Sequence, residues 1–247
     1  MADEAPWWKK DRDLSRERKA AEALRPACAN LGDSFLIVTE GTVTEPVYFD
    51  LLRESLQLST VTVKVIPGKA SDPRHVIQSA ADEVKELARR VKRKKVAVTE
   101  LEKFDQVWAV IDTDVAVRKE FWNDVVQKAR DLNVKLAHST PCFEFWLLLH
   151  CKMTTRADLV DGTAAKKAFR DELKRDYSTN REITEEAFKD LMSAWPTAVK
   201  NAQTVRKHHE DGNTPSPSNP STDVDLLVCA MNDSLAVHLR KIPCREM

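Results

Sequence analysis

Two short apolar runs constrain this chain more than any other feature: Phe35-Leu-Ile-Val38 and Val107-Trp-Ala-Val-Ile111. A strand with one wet face alternates apolar and polar residues. An uninterrupted run has to be covered on both faces, which is the place of a strand inside a parallel sheet flanked by helices. Helical patterns fill the intervals. Thr44 is placed to cap a helix from Glu45, with Pro46 in its first turn and Tyr48, Phe49, Leu51, Leu52 and Leu56 on one stripe. Val61, Val63 and Val65 alternate with Thr62 and Lys64 as a half-buried strand closed by Pro67-Gly68. Residues 73–103 and 116–131 read as helices, Val134–Ala137 as a short strand, and a buried helix starts after Pro141.

After residue 155 the strand signals stop, and residues 161–176, 183–211 and 222–239 read as helical. Pro196 starts or kinks a helix, and Ser221 or Thr222 caps the last one. The expected fold is α/β: a parallel sheet flanked by helices, with an α-helical C-terminal extension. Three regions follow: an arm at 1–30, an α/β core at 31–155, and a helical region at 156–247 packed on that core.

Composition removes several classes. The chain has 247 residues with only five glycines, and contains neither GxGxxG nor GxxxxGK[ST], so no dinucleotide-binding or Walker A loop is written in it. The five cysteines form no CxxC pair and read as reduced thiols of a cytoplasmic protein, and no signal peptide or membrane span is legible. Thirty-nine basic residues balance thirty-nine acidic ones, so no bulk positive charge draws the chain to nucleic acid. Local charge remains. Arg89, Arg90, Lys92, Arg93, Lys94 and Lys95 crowd seven positions, either as a solvated helix face or as a phosphate-contacting stripe for DNA or RNA.

The chemistry sits after the two apolar runs. Glu40 follows the first; Asp112 and Asp114 follow the second. In an open α/β sheet, ligands lie outside the carboxyl ends of the strands, and hard oxygens spaced D-x-D suit Mg²⁺ or Mn²⁺. Acidic residues in these places also cap helices, so each carboxylate has a structural reading beside the chemical one. Gly41 directly after Glu40 suits a tight strand-to-helix approach. The histidines and cysteines read as surface or packing residues, and Trp108, Trp146 and Trp195 as core.

Four ordered blocks resemble the RloB family: Ile37-Val-Thr-Glu-Gly-Thr-Val-Thr-Glu-Pro-Val-Tyr-Phe49, Val107-Trp-Ala-Val-Ile-Asp-Thr-Asp114, Ser139-Thr-Pro-Cys-Phe-Glu-Phe-Trp-Leu-Leu-Leu-His150 and Asn219-Pro-Ser-Thr-Asp-Val-Asp-Leu-Leu-Val228. That resemblance implies a Toprim-like core and a prokaryotic role in anti-phage defence or abortive infection. It implies a divalent-metal-dependent nuclease, or alternatively a non-catalytic nucleic-acid-binding or regulatory subunit partnering an AAA-type ATPase. Asp112 and Asp114 would bind the metal, with Glu40 a further ligand or general acid/base. Glu45 and Glu144 belong to the same blocks and are further metal candidates, with helix-end charge and a salt bridge as their structural readings. A homo-oligomer is a further expectation; a membrane partner is not.

Overall fold

The computed structural model describes residues 33–58, 63–67, 72–93, 103–177, 180–235 and 239–242. The arm at 1–30, Lys94 and Lys95 lie outside them. Five strands, β1 (Phe35–Thr39), β2 (Val63–Pro67), β3 (Gln106–Asp112), β4 (Lys135–Thr140) and β5 (Ser221–Thr222), form one sheet in the order β2-β1-β3-β4-β5. The first four are parallel, and β5 pairs antiparallel with the end of β4.

The apolar runs behave as strands covered on both faces. Phe35, Ile37, Trp108 and Val110 point into one core, while Leu36, Val38, Ala109 and Ile111 point into another. Helices α2 (Pro73–Lys92), α3 (Asp114–Arg118) and α4 (Trp122–Asp131) cover the second core through Val76, Ile77, Ala116 and Val125. The first core takes α1 (Thr44–Ser55), α5 (Phe143–Cys151), α6 (Gly162–Leu173), α7 (Arg181–Phe188), α8 (Trp195–Asp211) and α9 (Val224–Asp233). The C-terminal helices therefore share one continuous core with the sheet. This is an α/β fold built on a mostly parallel sheet, and Trp108, Trp146 and Trp195 are all buried in it.

The chain moves outward from β1 to β2, then returns past β1 to β3. That reversal makes a switch point between β1 and β3, where the flanking loops leave toward opposite faces.

Helix α5 is covered on every side: its residues 143 to 150, Glu144 and His150 among them, are all buried. Two polar groups inside it are satisfied locally. His150 Nδ1 lies 3.1 Å from the Trp146 carbonyl and its Nε2 3.1 Å from the Tyr48 hydroxyl. The carbonyl accepts only from an N–H, so Nδ1 donates and Nε2 accepts the Tyr48 O–H. Burial holds the His150 pKa down at about 4, which keeps the ring neutral in this role.

Several boundaries differ from the sequence reading. The helix expected over 116–131 is two, because Glu120 adopts a left-handed φ of 57° and breaks the run. Thr44 is the first helical residue and not its cap; Val43 holds the cap position without a side-chain bond. The long helix ends at Lys92, and residues 94–102 lie outside the described set. Ser221 and Thr222, expected to cap the last helix, form β5; the Thr222 hydroxyl still accepts from the Val224 N–H at 3.2 Å.

Tyr48→Phe removes the donor that satisfies buried His150 and leaves Nε2 without it. The expected loss is about 1–3 kcal/mol, read as a lower urea midpoint at unchanged m-value. An unchanged midpoint would show that the hydroxyl carries no net stabilisation.

Candidate active site at the carboxyl ends of the strands

The strand ends place the acidic residues. The Glu40 N–H continues the β1–β3 ladder by donating to the Val110 carbonyl at 3.0 Å. Its side chain then crosses the switch point, where Oε2 accepts the Asp112 N–H at 3.0 Å. Asp112 Oδ1 in turn accepts the Phe143 N–H at 2.8 Å. That amide opens α5, whose N-cap residue Cys142 makes no side-chain cap bond. Asp112 thus caps a helix, though not the one that follows it in sequence. The exposed amides and positive dipole end of α5 favour a carboxylate there.

Glu45 folds back over the turn, and its Oε1 accepts the Gly41 N–H at 2.9 Å. A Cβ on Gly41 would fall 2.0 Å from Glu45 Oε2. The scarce glycine is explained by that close approach. Its φ is not positive.

The electrostatics bind these groups into one cluster. Burial raises the pKa of Glu40 to about 7, and the charges of Glu45, Asp114 and Asp72 push the same way against the Asp112 N–H. Asp112 is raised well above the usual carboxylate range by burial and by Glu45, Glu40 and Glu144. Glu45 is raised by burial, with Glu144 adding to the rise and Lys166 opposing it. Asp72, the N-cap of α2, is held at about 2 by Arg74 and stays negative beside them. Asp114 opens α3 and adds its charge to the field at Glu40. Glu40, Glu45, Asp112 and Glu144 thus lie within one another's fields, and Asp114 within that of Glu40.

Two members carried no sequence signal. Lys166 Nζ on α6 lies 4.0 Å from Glu144 Oε1, and Glu144 is the main cause of its raised pKa. The Tyr177 hydroxyl lies 3.5 Å from the same oxygen. Neither contact follows from spacing; both depend on how α6 packs against α5. A lysine at one end of a half-buried helix gives nothing to read until its neighbour is known.

The basic stripe is not brought to the cluster. Asp72 beside Glu40 and Arg89 stand on one helix, 17 residues apart, which at 1.5 Å per residue is about 25 Å. Arg89, Arg90, Lys92 and Arg93 are exposed at its far end. Two histidines away from the cluster are held structurally: His209 Nε2 bonds the Pro220 carbonyl at 2.7 Å, and His138 Nδ1 lies 3.2 Å from Asp223 Oδ2.

A model of RloB-like proteins matches residues 35–231. The chain belongs to the RloB-like family. No curated protein and no solved structure gives a match. No helix among the described residues is long and apolar enough to cross a membrane.

Hard carboxylate oxygens in a partly buried, mutually repelling set are the chemistry that Mg²⁺ or Mn²⁺ selects. Among the described residues, no group of three His, Cys, Asp or Glu side chains is gathered to hold a metal ion. The backbone bonds engage one oxygen each of Glu40, Asp112 and Glu45. The donor types suit such an ion, and the described side chains as placed do not form a site for one.

Glu40 sets a pH dependence. Its folded pKa of about 7 exceeds the ordinary 4.5. The stability it contributes is full below about pH 4.5 and is lost as pH rises through 7, on the order of 3 kcal/mol in all. Glu40→Gln keeps the acceptor for the Asp112 N–H without the charge. In metal-free buffer the variant is expected to melt higher than wild type at pH 8, with the two converging near pH 5. Parallel melting curves across that range would contradict the raised pKa.

Proposed function

We propose that this RloB-like protein is a divalent-metal-dependent nuclease that hydrolyses phosphodiester bonds of DNA or RNA in prokaryotic anti-phage defence. The observation that carries this reading is the convergence of Glu40, Asp112 and Asp114 at the switch point of the sheet, with burial and mutual repulsion raising Glu40 to about 7. The family supplies the context of defence, and of an AAA-type ATPase as partner. A Toprim-type core is consistent with a glutamate after one strand and D-x-D after its neighbour.

Glu40, Asp112 and Asp114 would hold Mg²⁺ or Mn²⁺, with Glu45 and Glu144 behind them. When bound, such an ion lowers the pKa of a coordinated water and neutralises charge on a phosphodiester. The chain's own residues do the rest. The Asp112 N–H fixes one oxygen of Glu40, so the carboxyl group is oriented before substrate arrives. A carboxyl group with a pKa near 7 accepts a proton from an attacking water and gives it up again at neutral pH. Asp112 is itself oriented by the first amide of α5, so the rigid helix sets the register of the site.

One observation supports the second reading, a non-catalytic nucleic-acid-binding or regulatory subunit. The carboxylates already have structural work, holding backbone amides, and do not form a closed ligand sphere.

The test is cleavage of DNA and RNA with Mg²⁺ or Mn²⁺ by wild type, Asp112→Asn and Glu40→Gln. Both amides keep the acceptor oxygen, so the fold is retained. A loss of at least about 100-fold is expected in each. Cleavage at wild-type rate by Asp112→Asn would overturn the assignment. Nucleic-acid retention in EDTA with no turnover under any metal would favour the second reading.

A further inference from the structure

One arginine at the carboxyl edge of the sheet is fixed in place with part of its hydrogen-bonding capacity unused. Strands β1, β2 and β3 are parallel, so the segments that follow them emerge at the same edge. Glu40 and Asp112 stand there after β1 and β3, and α2 begins there after β2. The α2 N-cap Asp72 accepts the Arg74 N–H at 2.9 Å. Its carboxylate also takes one edge of the Arg74 guanidinium, with Nε donating to Oδ1 at 3.1 Å and Nη2 to Oδ2 at 2.7 Å. The guanidinium lies over the Phe121 ring, with Cζ 4.3 Å from the ring centroid. Phe121 is the N-cap residue of α4, placed there by the left-handed turn at Glu120.

A guanidinium carries five N–H donors in a rigid fork. Asp72 uses two of those on Arg74. Both donors of Nη1 and the second of Nη2 have no acceptor among the described residues. Together they form the end-on edge of the fork, whose paired N–H groups match two oxygens of a phosphate. The Arg74 side chain is 41% exposed. Much of the freedom that a long arginine gives up on binding is already given up to the carboxylate and the ring. Arg156 makes the same fork with Asp158, but it has no ring beneath it among the described residues and follows the opposite end of α5. The basic stripe stands about 25 Å along α2 and does not reach a phosphate placed at the acidic residues.

We infer that Arg74 is a phosphate-contacting residue of the site: its open guanidinium edge takes a backbone phosphate of nucleic acid lying across the carboxyl ends of β1 and β3. Asp72 and Phe121 position it. This rests on the nucleic-acid reading above, which the catalytic and the non-catalytic roles share, and it needs no metal ion. No bond is made or broken.

Retention of labelled single-stranded and duplex DNA and RNA by the full chain, measured by fluorescence anisotropy in EDTA over a range of salt, tests the contact. Removing Arg74 alone would leave Asp72 uncompensated. The decisive variant is therefore Asp72→Asn with Arg74→Met, which keeps the net charge and the N-cap acceptor. Its affinity is expected to fall about tenfold, with a salt slope reduced by about one. The matching exchange, Asp158→Asn with Arg156→Met, is expected to leave both at wild-type values. Arg74→Lys keeps the charge without the fork, and is expected to lose about threefold at unchanged slope. Thermal melts confirm that each variant is folded. Wild-type affinity in the folded Asp72/Arg74 variant overturns the contact and leaves the nucleic-acid reading standing. An equal loss in the Asp158/Arg156 variant overturns it too, as does a fall in affinity at unchanged slope in the Asp72/Arg74 variant. Absence of retention by wild type overturns both the contact and the reading.

Discussion

The structure turns on carboxylates held against one another by backbone amides. Glu40 is tied to the Asp112 N–H, Asp112 to the Phe143 N–H and Glu45 to the Gly41 N–H. Left to their charges, these groups would separate or take up protons. The amides hold them at the ends of β1 and β3 and the start of α5, and those elements are in turn fixed by burial on all sides. The position of the cluster is therefore a property of the whole sheet and of the buried helix α5.

The same arrangement shows why structural and chemical readings of an acidic residue need not compete. Asp112 caps α5, and that bond is what orients it. Glu40 bridges two strands, and that bridge is what carries its charge to Asp112. Repulsion between the groups makes each a better receiver for a proton or a cation than a solitary carboxylate would be. A hydrogen bond to the ionised form lowers a pKa, and for Glu40 it only partly offsets burial and the neighbouring charges.

Much of this was legible in the sequence. Phe35–Val38 and Val107–Ile111 announce strands covered on both faces because they are short, rich in β-branched residues and followed by turn or helix-start signals. Glu40, Asp112 and Asp114 follow them directly, and because the two strands are neighbours Glu40 reaches the Asp112 amide. Gly41 was marked for a tight approach, and Glu45 is the group that approaches. What was not legible depends on distant packing or on single torsions. Glu120 splits a helix by a left-handed φ that its composition does not announce. Lys166 and Tyr177 enter through the seating of α6. The basic run at 89–95 suggests proximity to the acids, and a 20-residue helix carries its described part away from them.

Strand β5 is only two residues long, and it comes from the far end of the sequence. Ser139 and Thr222 share a hydroxyl hydrogen bond across 83 residues, and His138 reaches Asp223 beside it. During synthesis the segments bearing Glu40, Asp112 and Glu144 therefore leave the ribosome long before the strand that closes their sheet. Until residues 221–222 appear, the end of β4 next to the acidic cluster is an unpaired edge. A chain cut short before them retains all five carboxylates and lacks the strand and the His138–Asp223 contact that finish their scaffold. The scaffold around the cluster is in this way closed late, by a strand that follows every one of the carboxylates and whose Thr222 stands 83 positions after Ser139.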